Sequence, residues 1–280
     1  MDRTQTVKLG EVEITSVWDG TLDAEIGSVR RIEIDVAQRL VDAERARTGI
    51  DPLVLPVRTF LIRTPKRLAL VDAGSGTTKG PSMGHLPDSL AALGVAPESI
   101  DCLLMTHLHM DHIGGIVDEA GLPAFVNAEL VMHEAEARYF LETPDEQLDA
   151  RSRRNLEFQR SAVRAYGKKC RKVRDGEGIE GVRARLAAGH TPGHTLWEVG
   201  SGSTKAVVIG DVIHLGAVQL ARPDSAMIYD VDADGAVATR CRVLAEWASE
   251  GVIVAGAHLP AGGIGRISGD GAGYRFDPTP

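Results

Sequence analysis

Apolar residues along this chain fall into short β-branched runs, each stopped by Gly, Asp or His, with longer stretches between them where apolar positions recur every three or four residues. The runs predict strands at Thr59 to Ile62, Leu68 to Val71, Cys102 to Thr106, Leu130 to His133, Ala206 to Ile209 and Val252 to Ala255. Two intervening stretches carry helix punctuation. Leu86-Pro87-Asp88 opens one that Gly94 closes, and Asp232 to Asp234 cap another that carries Val237, Val243, Leu244 and Trp247 before Gly251. This alternation predicts an α/β protein with mixed sheets. From His133 to Val173 the pattern changes: Glu and Arg are frequent, and Tyr139, Phe140, Leu148, Leu156, Phe158 and Tyr166 fall at roughly helical spacing. These residues predict helices laid over one edge of the fold as a cap, with the aromatic residues read as core and the cap able to shape a neighbouring pocket. The tail from Ala261 is short and Gly-rich. The expectation is one domain over 1–280, with a helical cap insertion at about 133–173.

Composition narrows the partners. A chain of 280 residues with 43% hydrophobic content can bury a core without covalent staples. The net charge of −8 argues against nucleic acid, whose binding draws on clustered Lys and Arg, and points to a neutral or weakly charged small molecule. Cys102, Cys170 and Cys241 are odd in number, widely spaced and outside any C-x-x-C, so neither a disulfide framework nor a thiolate zinc site is expected. The first residues lack a basic segment followed by an apolar one, and no apolar stretch is long enough to span a bilayer, so a cytoplasmic protein with no membrane partner is expected. A homodimer is compatible with all of this.

The chemistry concentrates at His107-Leu108-His109-Met110-Asp111-His112, an H-x-H-x-D-H cluster directly after an apolar run. Imidazole nitrogens and a carboxylate at this density suit a divalent ion such as Zn²⁺. One histidine alone would more readily be a satisfied core residue or a polar turn. The other candidates, however, share a placement. Asp72 ends the run Leu68 to Val71, His190 follows Ala184 to Gly189, Asp211 follows Val207 to Gly210, and His258 follows Val252 to Ala257. Each sits at the C-terminal end of a predicted strand, where open α/β sheets build their sites.

With these motifs in this order, the chain resembles the metallo-β-lactamase superfamily over nearly its whole length. The resemblance implies an αββα sandwich of two similar halves, with two mixed sheets flanked by helices. It further implies that Asp72 orients ligands without binding metal. His107, His109 and His190 (in Gly189-His190-Thr191-Pro192-Gly193-His194) would hold one ion, Asp111, His112 and His258 the other, and Asp211 would bridge. Zn is the ion expected first, with Mn or Fe next. Five imidazoles and two carboxylates bring about two negative charges to four positive ones, so a bridging hydroxide would leave a Lewis-acidic centre able to attack a carbonyl or phosphoryl electrophile. Asp111 is the expected proton shuttle. His194 is expected to fix a loop and not to bind metal, and no function is assigned to His85 or His133.

Within the superfamily, Asp211 stands where some zinc β-lactamases carry Cys, His109 where flavodiiron proteins carry Glu, and too little chain follows His258 for the glutathione-binding region of glyoxalase II. The resemblance is strongest to the branch of methyl parathion hydrolase and N-acyl homoserine lactonases. It rests on Asp211-Val212-Ile213-His214 followed by Gln219, on Tyr229-Asp230-Val231-Asp232, and on Ala257-His258-Leu259-Pro260 leading into Gly262-Gly263-Ile264-Gly265. Where related lactonases carry a Tyr three residues after the bridging Asp, this chain has His214, either a donor to a developing oxyanion or a packing residue. The expected function is a dinuclear metal-dependent hydrolase of a small neutral lactone, ester or phosphotriester. The alternatives are a mononuclear iron dioxygenase on the same fold and a metal-binding effector without turnover.

Overall fold

In the computed structural model, which describes residues 4–77, 80–201, 204–271 and 273–279, the first part of the chain runs through fourteen elements. They are β1 (Thr4–Leu9), β2 (Val12–Asp23), β3 (Val29–Arg30), α1 (Ile34–Thr48), β4 (Val54–Arg63), β5 (Leu68–Val71), α2 (Leu86–Ala92), β6 (Cys102–Leu104), α3 (Met110–Ile113), β7 (Glu129–His133), α4 (Glu134–Ala137), α5 (Ala150–Arg154), α6 (Leu156–Ala165) and β8 (Cys170–Val173). The second part adds β9 (Gly178–Ile179), β10 (Val182–Leu186), β11 (Thr195–Ser201), β12 (Thr204–Val208), α7 (Gly216–Gln219), β13 (Ala226–Met227), α8 (Ala233–Glu250), β14 (Ile253–Ala255), β15 (Ile264–Asp270) and β16 (Gly273–Pro278). Two seven-stranded sheets result, ordered β1-β2-β4-β5-β6-β7-β8 and β16-β15-β14-β12-β11-β10-β9, while β3 pairs with β13 in a separate ribbon.

Side-chain alternation along the strands sorts the core into layers. In the first sheet Phe60, Ile62, Ala69, Val71, Cys102, Leu104 and Val131 face the second sheet, where they meet Trp197, Val199, Ala206, Val208 and Ala255. The intervening Leu61, Leu68, Leu70, Leu103, Leu130 and Met132 face outward, under Leu86 and Leu90 of α2 and Leu156, Ala162 and Val163 of α6. On the far side, Leu196, Val207 and Val254 meet Val243, Leu244 and Trp247 of α8. Strands apolar on both faces need helices on both outer surfaces, and the αββα sandwich follows.

Strands β5 to β8 are parallel, and each parallel step needs a crossover. Residues 134–169 are the crossover from β7 to β8, so the aromatic-rich stretch lies between two paired strands of one sheet. Phe140, Leu148, Leu156 and Tyr166 are buried there, as the helical spacing predicts. The Gly-rich tail is more ordered than its composition suggests: β15 and β16 pair and complete one edge of the second sheet. Among the described residues, no helix is long and apolar enough to cross a membrane.

Candidate metal centre

The chain folds locally so that strand ends deliver ligands to one edge. After β5 the backbone turns at Asp72, whose φ of 59° lies in the left-handed region that Asp tolerates better than most side chains. Its carboxylate accepts the Thr106 N–H (2.8 Å), the Thr106 hydroxyl (2.7 Å) and His112 Nδ1 (2.7 Å). The β6 exit thereby hangs on the β5 exit. His107 and His109 follow β6, and α3 supplies Asp111 and His112. The loop after β5 and the turn after α3 touch backbone to backbone, with Gly115 N–H donating to Gly74 O at 3.2 Å. A Cβ at Gly115 would meet Ala73 O at 2.1 Å, so this approach requires glycine. His190 follows β10, Asp211 follows β12 in a short 3₁₀ turn, and His258 follows β14.

Second partners fix which ring nitrogen each histidine presents. His112 Nδ1–H donates to Asp72 and His258 Nδ1–H to the Pro56 carbonyl (2.8 Å). His190 Nδ1–H donates to Asp230 Oδ1 (3.0 Å), and His107 Nδ1–H to Thr106 Oγ1 (3.0 Å), whose own proton goes to Asp72. All four rings turn Nε2 inward, and His109 contributes Nδ1, 2.9 Å from His190 Nε2. The inward atoms form two groups, each with all its ligand atoms within 4.8 Å of one another: His107, His109, His190 and Asp211, and Asp111, His112, Asp211 and His258. Asp211 belongs to both. Its Oδ2 lies 3.6 Å from His107 Nε2 and 3.4 Å from His190 Nε2, and its Oδ1 lies 3.0 Å from His112 Nε2 and 3.3 Å from His258 Nε2. Asp111 Oδ2 stands 3.7 Å from both His112 Nε2 and His258 Nε2. His109 and Asp111 are half-buried while the other ligands are buried, so the cluster opens on their side.

Electrostatics fit a cation. Burial, reinforced by His112, pushes the His107 pKa well below the usual imidazole range, and burial reinforced by His190 does the same to His109, so both rings are neutral donors. Burial opposes ionisation of Asp211, yet the His112, His214 and His258 rings around it outweigh that and hold its pKa well below the carboxylate range. Buried His107 Nε2 has no hydrogen-bond partner among the described residues, a costly state that a bound ion would relieve. Each group offers imidazole nitrogens and carboxylate oxygen, the donor set of a borderline-soft divalent ion.

The model of the metallo-β-lactamase superfamily matches residues 52–273. The chain belongs to this superfamily. It is also similar, at 30% identity and a TM-score of 0.92, to the hydrolase AbOPH of the same superfamily, across 100% of this chain and 98% of that one. A second similar structure is AidC, a dizinc quorum-quenching lactonase, at 25% identity and a TM-score of 0.89 across 99% and 97%. A probable metal-dependent hydrolase from Staphylococcus aureus shares the fold at 22% identity and a TM-score of 0.75, across 98% and 99%.

In this member of the superfamily the residues singled out from sequence converge, with two neighbours in supporting positions. His194 Nε2 accepts the Asp211 N–H (3.0 Å), and burial, reinforced by His190, drops its pKa to about 3, so it is a neutral acceptor outside both ligand groups. His214 stands beside the cluster: its Nε2 lies 2.8 Å from Asp211 Oδ2, its ring stacks on His258 at 5.5 Å, and its centroid is 5.8 Å from that of Tyr229. His85 stacks on Trp18, His133 Nδ1 accepts the Ala135 N–H at the start of α4, and neither belongs to a ligand group. Sequence reasoning gave no role to Thr106, Asp230, Glu136 or Gln159. Asp230 lies in a segment quoted only as a family feature, and Glu136 and Gln159 are single polar residues in a Glu- and Arg-rich stretch, where nothing in the pattern separates a buried carboxylate from a solvated one.

Proposed function

We propose that this protein is a dinuclear metal-dependent hydrolase of a small, uncharged lactone or ester, with phosphotriesters within reach of the same site. The observation that carries this reading is the pair of ligand groups sharing Asp211, one carboxylate oxygen to each. Zn²⁺ suits the donor set best, ahead of Mn²⁺ and Fe²⁺. When bound, two such ions supply Lewis acidity and lower the pKa of a coordinated water towards neutrality.

The protein's own groups do the rest. His107, His109 and His190 form one ligand face, Asp111, His112 and His258 the other, and Asp211 fixes their separation. Asp111, on the open side with 16% of its side chain exposed, receives and passes on a proton between attacking water and leaving group. His214 Nε2 reaches the cluster at Asp211 Oδ2, a position from which an N–H is offered to an oxygen gaining negative charge. The acidic chain favours a neutral substrate. The likeness to a quorum-quenching lactonase supports a lactone as the first substrate to try.

The test is metal analysis followed by a panel of lactones, aryl esters and phosphotriesters on the metal-replete protein. About two Zn or Mn per chain with turnover on the panel sustains the reading. About one Fe with oxygen consumption overturns it in favour of a dioxygenase, and two ions with no turnover overturns it in favour of an effector.

A further inference from the structure

The crossover between β7 and β8 does more than cover the sheet. Glu136 of α4 is 1% exposed, and its two oxygens reach two different ligand loops. Oε1 accepts the Leu108 N–H at 2.9 Å, in the peptide between His107 and His109. Oε2 accepts the Thr191 hydroxyl at 2.7 Å and the Gly193 N–H at 3.0 Å, in the loop that carries His190. The other side of Leu108 is held as well, because Gln159 Nε2 of α6 donates to its carbonyl at 2.6 Å. Approach on the His190 side is so close that a Cβ at Gly193 would stand 1.9 Å from Glu136 N, which leaves glycine as the residue that fits. After Ala137 the chain widens into a π-helical turn over Arg138–Glu142, an irregularity frequent at functional sites. Buried polar side chains are costly unless satisfied, and these are spent on the backbone of two metal-ligand loops.

We propose that Glu136, seconded by Gln159, is a positioning residue that clamps the His107–His109 loop to the His190 loop and so sets the geometry of that half of the centre. The inference rests on the metal-site reading above. It acts through backbone, since neither side chain is among the ligand groups. The other half has different supports: Asp72 for His112 and the Pro56 carbonyl for His258. The clamp therefore acts on one half only. Burial pushes the Glu136 carboxyl up to about 7 against three donors that favour its anion, so the neutral, isosteric glutamine is an informative replacement.

The test reads Zn²⁺ affinity by chelator competition in two backgrounds of the full chain. His258→Ala leaves His107, His109, His190 and Asp211 as the complete group, and His190→Ala leaves Asp111, His112, Asp211 and His258. Adding Glu136→Ala should weaken Zn²⁺ binding by about tenfold or more in the first background and by less than about threefold in the second, in line with the effect of outer supports on metal affinity. Co²⁺ absorption should shift in the first background alone. Gln159→Leu should move affinity the same way by a smaller factor. Glu136→Gln keeps one acceptor oxygen but sets its NH2 against a backbone N–H that cannot accept, so at least one of the two loops loses its bond, and it carries the test where the alanine variant does not fold. Any other pattern, whether loss in both backgrounds, in neither, or in the second alone, overturns the clamp. Turnover is not part of this readout: a wild-type protein that binds two ions and hydrolyses nothing defeats the functional proposal and leaves the clamp standing, whereas unchanged affinities do the reverse.

Discussion

The two halves of the centre share one carboxylate and the same kinds of ligand, but they are held by different parts of the molecule. The His112 and His258 half is oriented from the sheet, by Asp72 at the end of β5 and by the Pro56 carbonyl within β4. The His107, His109 and His190 half leans on helical connections: Glu136 and Gln159 in the crossover, and the α8 approach, where Asp230 takes His190 Nδ1 and the Asp232 and Val231 N–H groups donate to the Gly189 and His190 carbonyls. A strand end is fixed on both sides by its ladder, whereas a helical connection is held chiefly by packing. The outer supports of the first half thus belong to the sheet, and those of the second to helical connections that can be changed. In the proposed dinuclear reading, one ion position would be sheet-supported and the other helix-supported.

Four measurements bear on that contrast, beginning with the most damaging change. Asp211→Asn removes the charge both halves share and should cut turnover on any panel substrate by about a thousandfold or more while circular dichroism stays native. If turnover persists, the halves do not work as one centre. Asp72→Asn should weaken Zn²⁺ binding by about 10- to 100-fold, more in a His190→Ala background than in a His258→Ala one, because the carboxylate holds His112 directly and His107 only through Thr106. Equal loss in both backgrounds would erase the distinction between sheet-held and helix-held ligands.

His194→Ala should leave metal stoichiometry unchanged but lower unfolding stability by about 1–3 kcal/mol, because it orphans the buried Asp211 N–H equally for both halves; metal analysis with denaturant titration checks both parts. The smallest effect is expected outside the centre. Glu246 of α8 pairs with Arg185 of β10 through both oxygens, and that hydrogen bond holds its pKa below the usual carboxylate value. A depressed folded-state pKa stabilises above the unfolded pKa, and this contribution fades as pH falls through the acid range. Glu246→Gln should cost roughly 0.5 kcal/mol near neutral pH, flatten the acid limb of stability slightly and leave both ion affinities alone.

Periodicity made individual strands and helices legible wherever they bury a strong face, while the sandwich itself came from the resemblance. The stretch from Leu68 to Val71 is a strand end to end, and Asp232 and Gly251 cap α8 as their residue types predict. It failed where burial is thin. α1 has fifteen residues but buries only Ala37 and Val41, so its sequence reads as a charged surface stretch. β1 and β16 are edge strands and β15 lies next to one, and exposed positions dilute the alternation in all three. The ligands were legible because H-x-H-x-D-H and the strand-end histidines are local patterns. Their supports were not, since Glu136 meets Leu108 across 28 positions and Gly193 across 57, and no local pattern records a contact made at that range.

The parallel pairing of β7 with β8 limits how this protein can be remodelled. Its cap is not a detachable module, because removing it also removes the link between two paired strands. The middle of the crossover has no such tie at its exposed positions. Residues 143–155 lie between the anchors at Glu136 and Gln159, include exposed positions such as Pro144, Glu146 and Arg153, and donate no hydrogen bond to a ligand loop among the described residues. Exchanges at those exposed positions would alter the outer surface of the cap while the two anchors keep their hydrogen bonds. For anyone remodelling such a hydrolase, those exposed positions are the ones to vary, and buried Leu148 and the two anchors are the residues to leave untouched.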